Sequence, residues 1–254
     1  MVKGIPHVRP IRLPKGIETL LVFGGSFDPP HAGHELASLT SLAGFDTAST
    51  RVLLVPAARS PHKTDGPRAT DRQRVAMARL LMKDWAAHVM VWTDEIDRAL
   101  PGEPSYTIDT LRRLRRAIPS KVKLRLLIGS DQAAAFHRWR APRAIVRLAE
   151  PLVLRRKPVT TARALRAAMD HAYWTPEELS AWEGRLAHNV VVTESSTAVR
   201  WAIRAAPRDV RRWKSIAGLD GIPIGVARYI VAHSLYGFGT AKNPTGQRGS
   251  RVVS

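Results

Sequence analysis

The run Thr19-Leu20-Leu21-Val22-Phe23-Gly24-Gly25-Ser26-Phe27-Asp28-Pro29-Pro30-His31-Ala32-Gly33-His34 holds a strand, a tight turn and a helix start in sixteen residues. Thr19 to Phe23 is short, apolar and β-prone, and Gly24-Gly25 ends it at a turn. After the turn Leu36, Leu39 and Ala43 recur at helical spacing, which predicts a helix with those three on its inner face. A strand–turn–helix unit of this kind is the start of a doubly wound sheet. In such a sheet ligands lie beyond the carboxyl ends of the strands.

Gly24 and Gly25 allow the backbone to turn and to approach a phosphate with no Cβ in the way. The first amides of the helix that follows point at an anion, and the helix dipole favours negative charge there. His31 and His34 share one face of that helix start, where two imidazoles can donate to non-bridging phosphate oxygens. The turn alone could be no more than a tight connection. A histidine pair at this spacing could also bind a metal, but no third ligand is clearly placed with it.

The same alternation continues along the chain. Val52 to Val55 reads as a strand stopped by Pro56, and Asp71 to Trp85 as a helix capped by Thr70. Val75, Ala78, Met82 and Trp85 share the inner face of that helix. Val89 to Trp92 is a third strand. Thr107 to Ile118 is an amphipathic helix with Ile108, Leu111, Leu114 and Ile118 inward and Arg112, Arg113, Arg115 and Arg116 outward. Leu124 to Ile128 is a fourth strand, while Leu152–Leu154 and Val190–Val192 are weaker ones. Strands apolar throughout, alternating with helices, predict a parallel sheet covered on both faces, an α/β doubly wound, Rossmann-like fold.

Residues 1–18 read as a flexible N-terminal extension, residues 19–236 as a single domain and residues 237–254 as a disordered tail. Residues 155–189 are helical and polar and resemble an insertion. The 254 residues include no cysteine, which excludes disulfides, thiolate metal sites and thiol catalysis. No run approaches the roughly 18 apolar residues of a membrane span. These features predict a cytoplasmic protein with no membrane partner. The net charge of +19 fits either a polyanionic partner such as nucleic acid or a compositional bias toward arginine, because the arginines are spread along the chain.

The eleven residues Gly24 to His34 resemble the H-x-G-H signature of the nucleotidyltransferase superfamily, and in particular bacterial nicotinate-nucleotide adenylyltransferases. Further segments match that family in its order. These are Ser60-Pro61-His62-Lys63, Asp71-Arg72 with Met77, and Glu95-Ile96-Asp97-Arg98 followed by Ser105-Tyr106-Thr107-Ile108-Asp109-Thr110-Leu111. Ile128-Gly129-Ser130-Asp131, Phe136-His137-Arg138-Trp139, Ser195-Ser196-Thr197-Ala198-Val199-Arg200 and Val226 to Tyr236 complete the series. H-x-G-H by itself assigns only the superfamily, and the Ser-Tyr-Thr and Phe-His-x-Trp blocks point to the particular family.

The resemblance implies adenylyl transfer from ATP to nicotinate mononucleotide in NAD biosynthesis, with pyrophosphate released. It implies His31 and His34 as catalytic residues, assisted by Gly24, Gly25, Ser26 and the amide of Phe27 around the triphosphate. Ser196, Thr197 and Arg200 would cradle its outer phosphates, and Gly129 and Asp131 would face the ribose. Lys63, Tyr106, Thr107 and Trp139 would bind the acceptor, with Trp139 stacked on the pyridine ring. Mg2+ is implied as an ion held mainly by ATP phosphates and water, with no dedicated protein ligands.

Two departures stand out. Glu194 precedes Ser195 where an aliphatic residue is usual, and Leu154-Arg155-Arg156-Lys157 replaces an Arg-Pro-Gly type turn. They bear on the choice between nicotinate and nicotinamide acceptors more than on the reaction. The rival readings are a phosphopantetheine adenylyltransferase and, from a different class, a basic nucleic-acid-binding protein on the same fold. His7, His88, His171 and His188 match no motif and read as surface or structural.

Overall fold

The computed structural model describes residue 8 and residues 10–61, 66–187, 191 and 195–239. Five parallel strands form its sheet: β1 (Thr19–Gly25), β2 (Thr50–Pro56), β3 (Val89–Val91), β4 (Lys123–Gly129) and β5 (Glu150–Leu154). Their order across the sheet is β3-β2-β1-β4-β5, so the chain starts in the middle and winds outward twice. The helices are α1 (Ala32–Leu42), α2 (Asp71–Leu81), α3 (Asp94–Asp97), α4 (Thr107–Ala117) and α5 (Ser130–Ala134). They continue with α6 (Pro142–Leu148), α7 (Ala162–Ala168), α8 (Pro176–Gly184), α9 (Ser196–Ile203) and α10 (Ile224–Ala232).

Successive side chains of a strand leave opposite faces of the sheet, and this alternation builds two cores. Leu20 and Val22 of β1, Leu53 and Val55 of β2 and Leu124, Leu126 and Ile128 of β4 join one apolar cluster with Ile108, Leu111 and Leu114 of α4. Leu21, Val52, Leu54 and Leu127 join the other, with Met77 of α2, Val199 of α9 and Val226 of α10. Each face is therefore covered, as the uninterrupted apolar strands require.

Three local expectations are corrected. The inner face of α1 is Gly33, Ala37, Ser38, Ser41 and Leu42, whereas Leu36 and Leu39 are half-buried and Ala43 is exposed. Ser38 and Ser41 can be buried because each hydroxyl donates to the carbonyl one turn back, at His34 and Ala37. Arg113 does not face outward. It is buried and holds the carboxylate of Asp94 through two bonds of 2.7 Å. The helix from Asp71 ends at Leu81, a separate 3-10 turn covers Lys83–Trp85, and Trp85 is partly exposed with its indole donating to Glu35. The buried arginine of α2 is Arg74, while Arg72 is exposed.

Residues 155–189 hold α7 and α8, whose Leu165, Leu179 and Trp182 are buried in the first cluster. Leu186 then runs parallel to Val153, with Ala187 N–H donating to the Val153 carbonyl. Val190 and Val192 lie outside the described residues, as do residues 240–254. Ile17 is buried, and Val8, Ile11 and Leu13 pack against the first cluster.

Candidate active site

A cleft of about 460 Å³ opens at the carboxyl ends of β1 and β4, where the strand order reverses. Gly24, Gly25, Ser26, Phe27, His31 and His34 form one wall of it. Phe27 adopts a left-handed backbone at φ +48° with its ring buried against Gly25. A Cβ at Gly25 would sit 3.1 Å from that ring, so glycine there lets Phe27 tuck under the loop.

The loop is held from three sides. The carboxylate of buried Asp28 accepts from the amides of Arg68 and Ala69 and from the hydroxyl of Tyr236. Arg200 donates to the Asp28 carbonyl at 2.7 Å, and Ser196 to the Pro29 carbonyl at 3.0 Å. Arg74, fully buried, donates to the Ser26 carbonyl and pairs with Asp71. Burial and the adjacent Asp28 carboxylate push the Tyr236 phenol far above its ordinary pKa, so it remains a donor.

His31 caps α1, and its amide donates to Nδ1 of His34 at 3.3 Å. In the neutral ring this leaves the His34 proton on Nε2, which makes that nitrogen a donor. The two rings lie 4.0 Å apart. Desolvation, and then the charge of Arg156, lower His31 to about 4. Its buried Nδ1 has no hydrogen-bond partner among the described residues. A neutral His31 beside arginines suits an anion that brings its own negative charge.

Across the cleft, Gly129 caps α5 and Asp131 follows it. A Cβ on Gly129 would fall 2.3 Å from Asp131 Oδ1, so only glycine lets the carboxylate fold back to this place. That buried oxygen lacks a partner among the described residues, while Oδ2 lies 3.8 Å from Arg156. Ser195 is the cap of α9, its hydroxyl accepting from the Ala198 amide, which leaves Ser196 and Thr197 as the first helical residues. Thr197 is exposed at the rim and accepts from Arg200.

Thr107 and Trp139 line the far end, and a second pocket beside it is lined by Tyr106, Thr107, Trp139 and Arg140. Buried Glu95, which also lines the cleft, accepts from Thr110, and burial raises its pKa. The cleft thus brings together every residue expected from the sequence except Tyr106, which lines the adjoining pocket, and Lys63, which with Glu194 lies outside the described residues. Asp28, Arg74, Tyr236, Glu95 and Arg156 had no assigned role. Asp28, Tyr236 and Glu95 stood inside the quoted motifs, and Arg74 stands one helical turn after Asp71, which was the available signal for its ion pair.

The model of the cytidylyltransferase-like family matches residues 22–202. The chain is 33% identical over 226 residues to a protein of Stenotrophomonas maltophilia named probable nicotinate-nucleotide adenylyltransferase, covering 85% of this chain and 96% of the relative. It is 34% identical over 222 residues to a protein of the same name from Pectobacterium atrosepticum, covering 84% of this chain and 96% of that one. Plasmodium falciparum nicotinic acid mononucleotide adenylyltransferase, solved in complex with NaAD, shares the fold at a TM-score of 0.59 and 16% identity, covering 88% of this chain and 100% of that one. The turn at Gly24 to His34, its partner wall and these likenesses agree, and the chain belongs to the nicotinate-nucleotide adenylyltransferases within the cytidylyltransferase-like family.

Proposed function

We propose that this enzyme joins the 5′-phosphate of nicotinate mononucleotide to the adenylyl group of ATP. An acceptor phosphate oxygen attacks the α-phosphorus, the bond to the bridging oxygen of the β-phosphate breaks, and pyrophosphate leaves with that electron pair. The observation that carries this reading is one continuous cleft joining the His31–His34 wall to the Trp139–Thr107 wall.

No protein nucleophile is needed, so the residues act by position and charge. His34 donates from Nε2 to an α-phosphate oxygen, and His31, neutral in the free enzyme, faces the same phosphates. Gly24, Gly25, Ser26 and the Phe27 amide let the triphosphate approach the backbone. Arg200, steadied by Thr197, meets the outer phosphates, with Ser196 at the same helix start. Asp131 Oδ1 accepts from a ribose hydroxyl. Trp139 stacks on the pyridine ring, the amides around Tyr106 and Thr107 meet its carboxylate, and Lys63 neutralises a phosphate or that carboxylate.

Mg2+, when bound with ATP, would supply charge neutralisation on the phosphate oxygens. Among the described residues no three carboxylate or imidazole groups converge as a metal cage, and the donors lining the cleft fit the metal's phosphate ligands instead. No helix among the described residues is long and apolar enough to cross a membrane, and we place the enzyme in the cytoplasm with its substrates. Residues 19–236 are taken as one catalytic unit.

Pyrophosphate release should be followed with ATP and Mg2+ and, separately, nicotinate mononucleotide, nicotinamide mononucleotide and phosphopantetheine. Release that depends on the nicotinate form is expected. Release with nicotinamide mononucleotide alone would keep the mechanism and overturn the acceptor, and release with phosphopantetheine alone would overturn both acceptor assignments.

A further inference from the structure

We propose that the helical pair α7–α8 is a positioning device for the acceptor: it seats Phe136, and through Phe136 it sets where Trp139 stands in the cleft. This rests on the reading of Trp139 as the surface on which the pyridine ring stacks. It gives a role to a segment that the sequence presents as an insertion.

A row of aromatic rings runs from the cleft wall into the hairpin. Trp139 lies 4.8 Å from Phe136, centroid to centroid, and Phe136 is fully buried. The next ring is Trp182 of α8, edge-on at 5.0 Å and itself 1% exposed. Trp174, between α7 and α8, meets Trp182 at 5.6 Å, and Tyr173 meets Trp174 at 4.8 Å. Buried rings in edge contact fix one another's planes as well as filling volume.

The hairpin is itself held in place. Arg143 of α6 donates to both oxygens of Glu178 at 2.7 and 2.8 Å and to the Tyr173 carbonyl at 2.8 Å. Its guanidinium also lies over the Tyr173 ring at 4.5 Å. Where the segment begins, the Ser130 hydroxyl donates to the Val159 carbonyl and accepts from the Arg156 amide. Where it ends, the Val153 amide donates to the Arg185 carbonyl. With both ends tied to β4–α5 and β5, the pair presents Trp182 to Phe136 at a fixed depth. Trp182 and Phe136 are positioning residues, because neither lines the cleft.

A smaller side chain at position 182 leaves a gap behind Phe136 into which Phe136 and then Trp139 can retreat. A displacement of about 1 Å at a substrate-positioning group far from the chemistry is enough to cost up to about a hundredfold. The loss should fall on the acceptor more than on ATP, whose triphosphate wall at Gly24 to His34 is built from other elements.

The test uses the full chain labelled with 5-fluorotryptophan, the Trp139 resonance being identified by its disappearance in Trp139→Phe. In Trp182→Leu the Trp139 resonance should move and KM for the acceptor should rise about tenfold, with KM for ATP changed less than about twofold. Trp182→Phe should restore most of both. If Trp182→Leu does not fold, Glu178→Gln, which weakens the clamp at the surface, should produce the same pattern in smaller measure. A Trp139 resonance that stays in place in the folded variants, or two KM values that rise together, overturns the proposal. A wild-type enzyme that turns over no pyridine nucleotide overturns the functional reading instead, and the fluorine spectra then decide the coupling between Trp182 and Trp139 on their own.

Discussion

A histidine 4% exposed, with Arg156 acting on it across the cleft, gives up its proton more readily than one in water. The unfolded chain binds that proton near 6.5 and the folded chain only near about 4. Between these values the unfolded state holds more protons, so stability falls as the pH drops through this window, by about 3 kcal/mol at its lower end. Urea unfolding of the wild type and His31→Asn from pH 7 to pH 4 should show the wild type losing stability faster. Parallel curves would contradict it. At the opposite wall, Gly129→Ala forces the Asp131 carboxylate out of its place, because the new methyl would sit 2.3 Å from Oδ1. KM for ATP should rise about tenfold or more, the worth of one hydrogen bond to a charged group, with KM for the acceptor unchanged. The glycine, histidine and aspartate at these positions were legible in the sequence as residue types at the right spacing. The clash that fixes Gly129 was not, since it depends on a side-chain rotamer.

On α4 the apolar positions were readable and one cation was not. Ile108, Leu111 and Leu114 are buried as their spacing required, and Leu111→Ala should cost about 2–5 kcal/mol in chemical unfolding. Arg113, placed outward by the same periodicity, is inside because Asp94 of α3 meets it there. Spacing cannot announce a buried ion pair between distant elements. Arg113→Ala removes both guanidinium bonds from the buried Asp94 carboxylate and should cost about 3–5 kcal/mol, comparable to the leucine, whereas Arg112→Ala on the exposed face should cost almost nothing. An Arg113→Ala variant as stable as the wild type would show that the pair contributes nothing. The inner face of α1 was misread for a related reason. Its buried serines satisfy their hydroxyls on the preceding turn and behave as small packing residues, which hydrophobic spacing counts as polar.

At the scale of the molecule, the apolar strands announced a parallel sheet, while the order β3-β2-β1-β4-β5 is a property of how they pair. That order sets β1 beside β4 and so brings Gly24 and Gly129, far apart in sequence, to the two walls of one cleft. A net charge of +19 over the chain should steer two phosphorylated substrates toward the cleft that receives them. The quotient kcat/KM should then fall about tenfold or more from low to high ionic strength while kcat holds, and a kcat/KM insensitive to salt would count against steering. The role proposed for the imidazole pair at the start of α1 is to stabilise charge on the transferred adenylyl group. It is tested most directly by the rate of pyrophosphate release in His34→Ala at saturating ATP, Mg2+ and nicotinate mononucleotide, with ATP binding measured beside it. A rate about 10²–10³ lower with ATP still bound is expected; a rate equal to that of the wild type would place the chemistry elsewhere in the cleft.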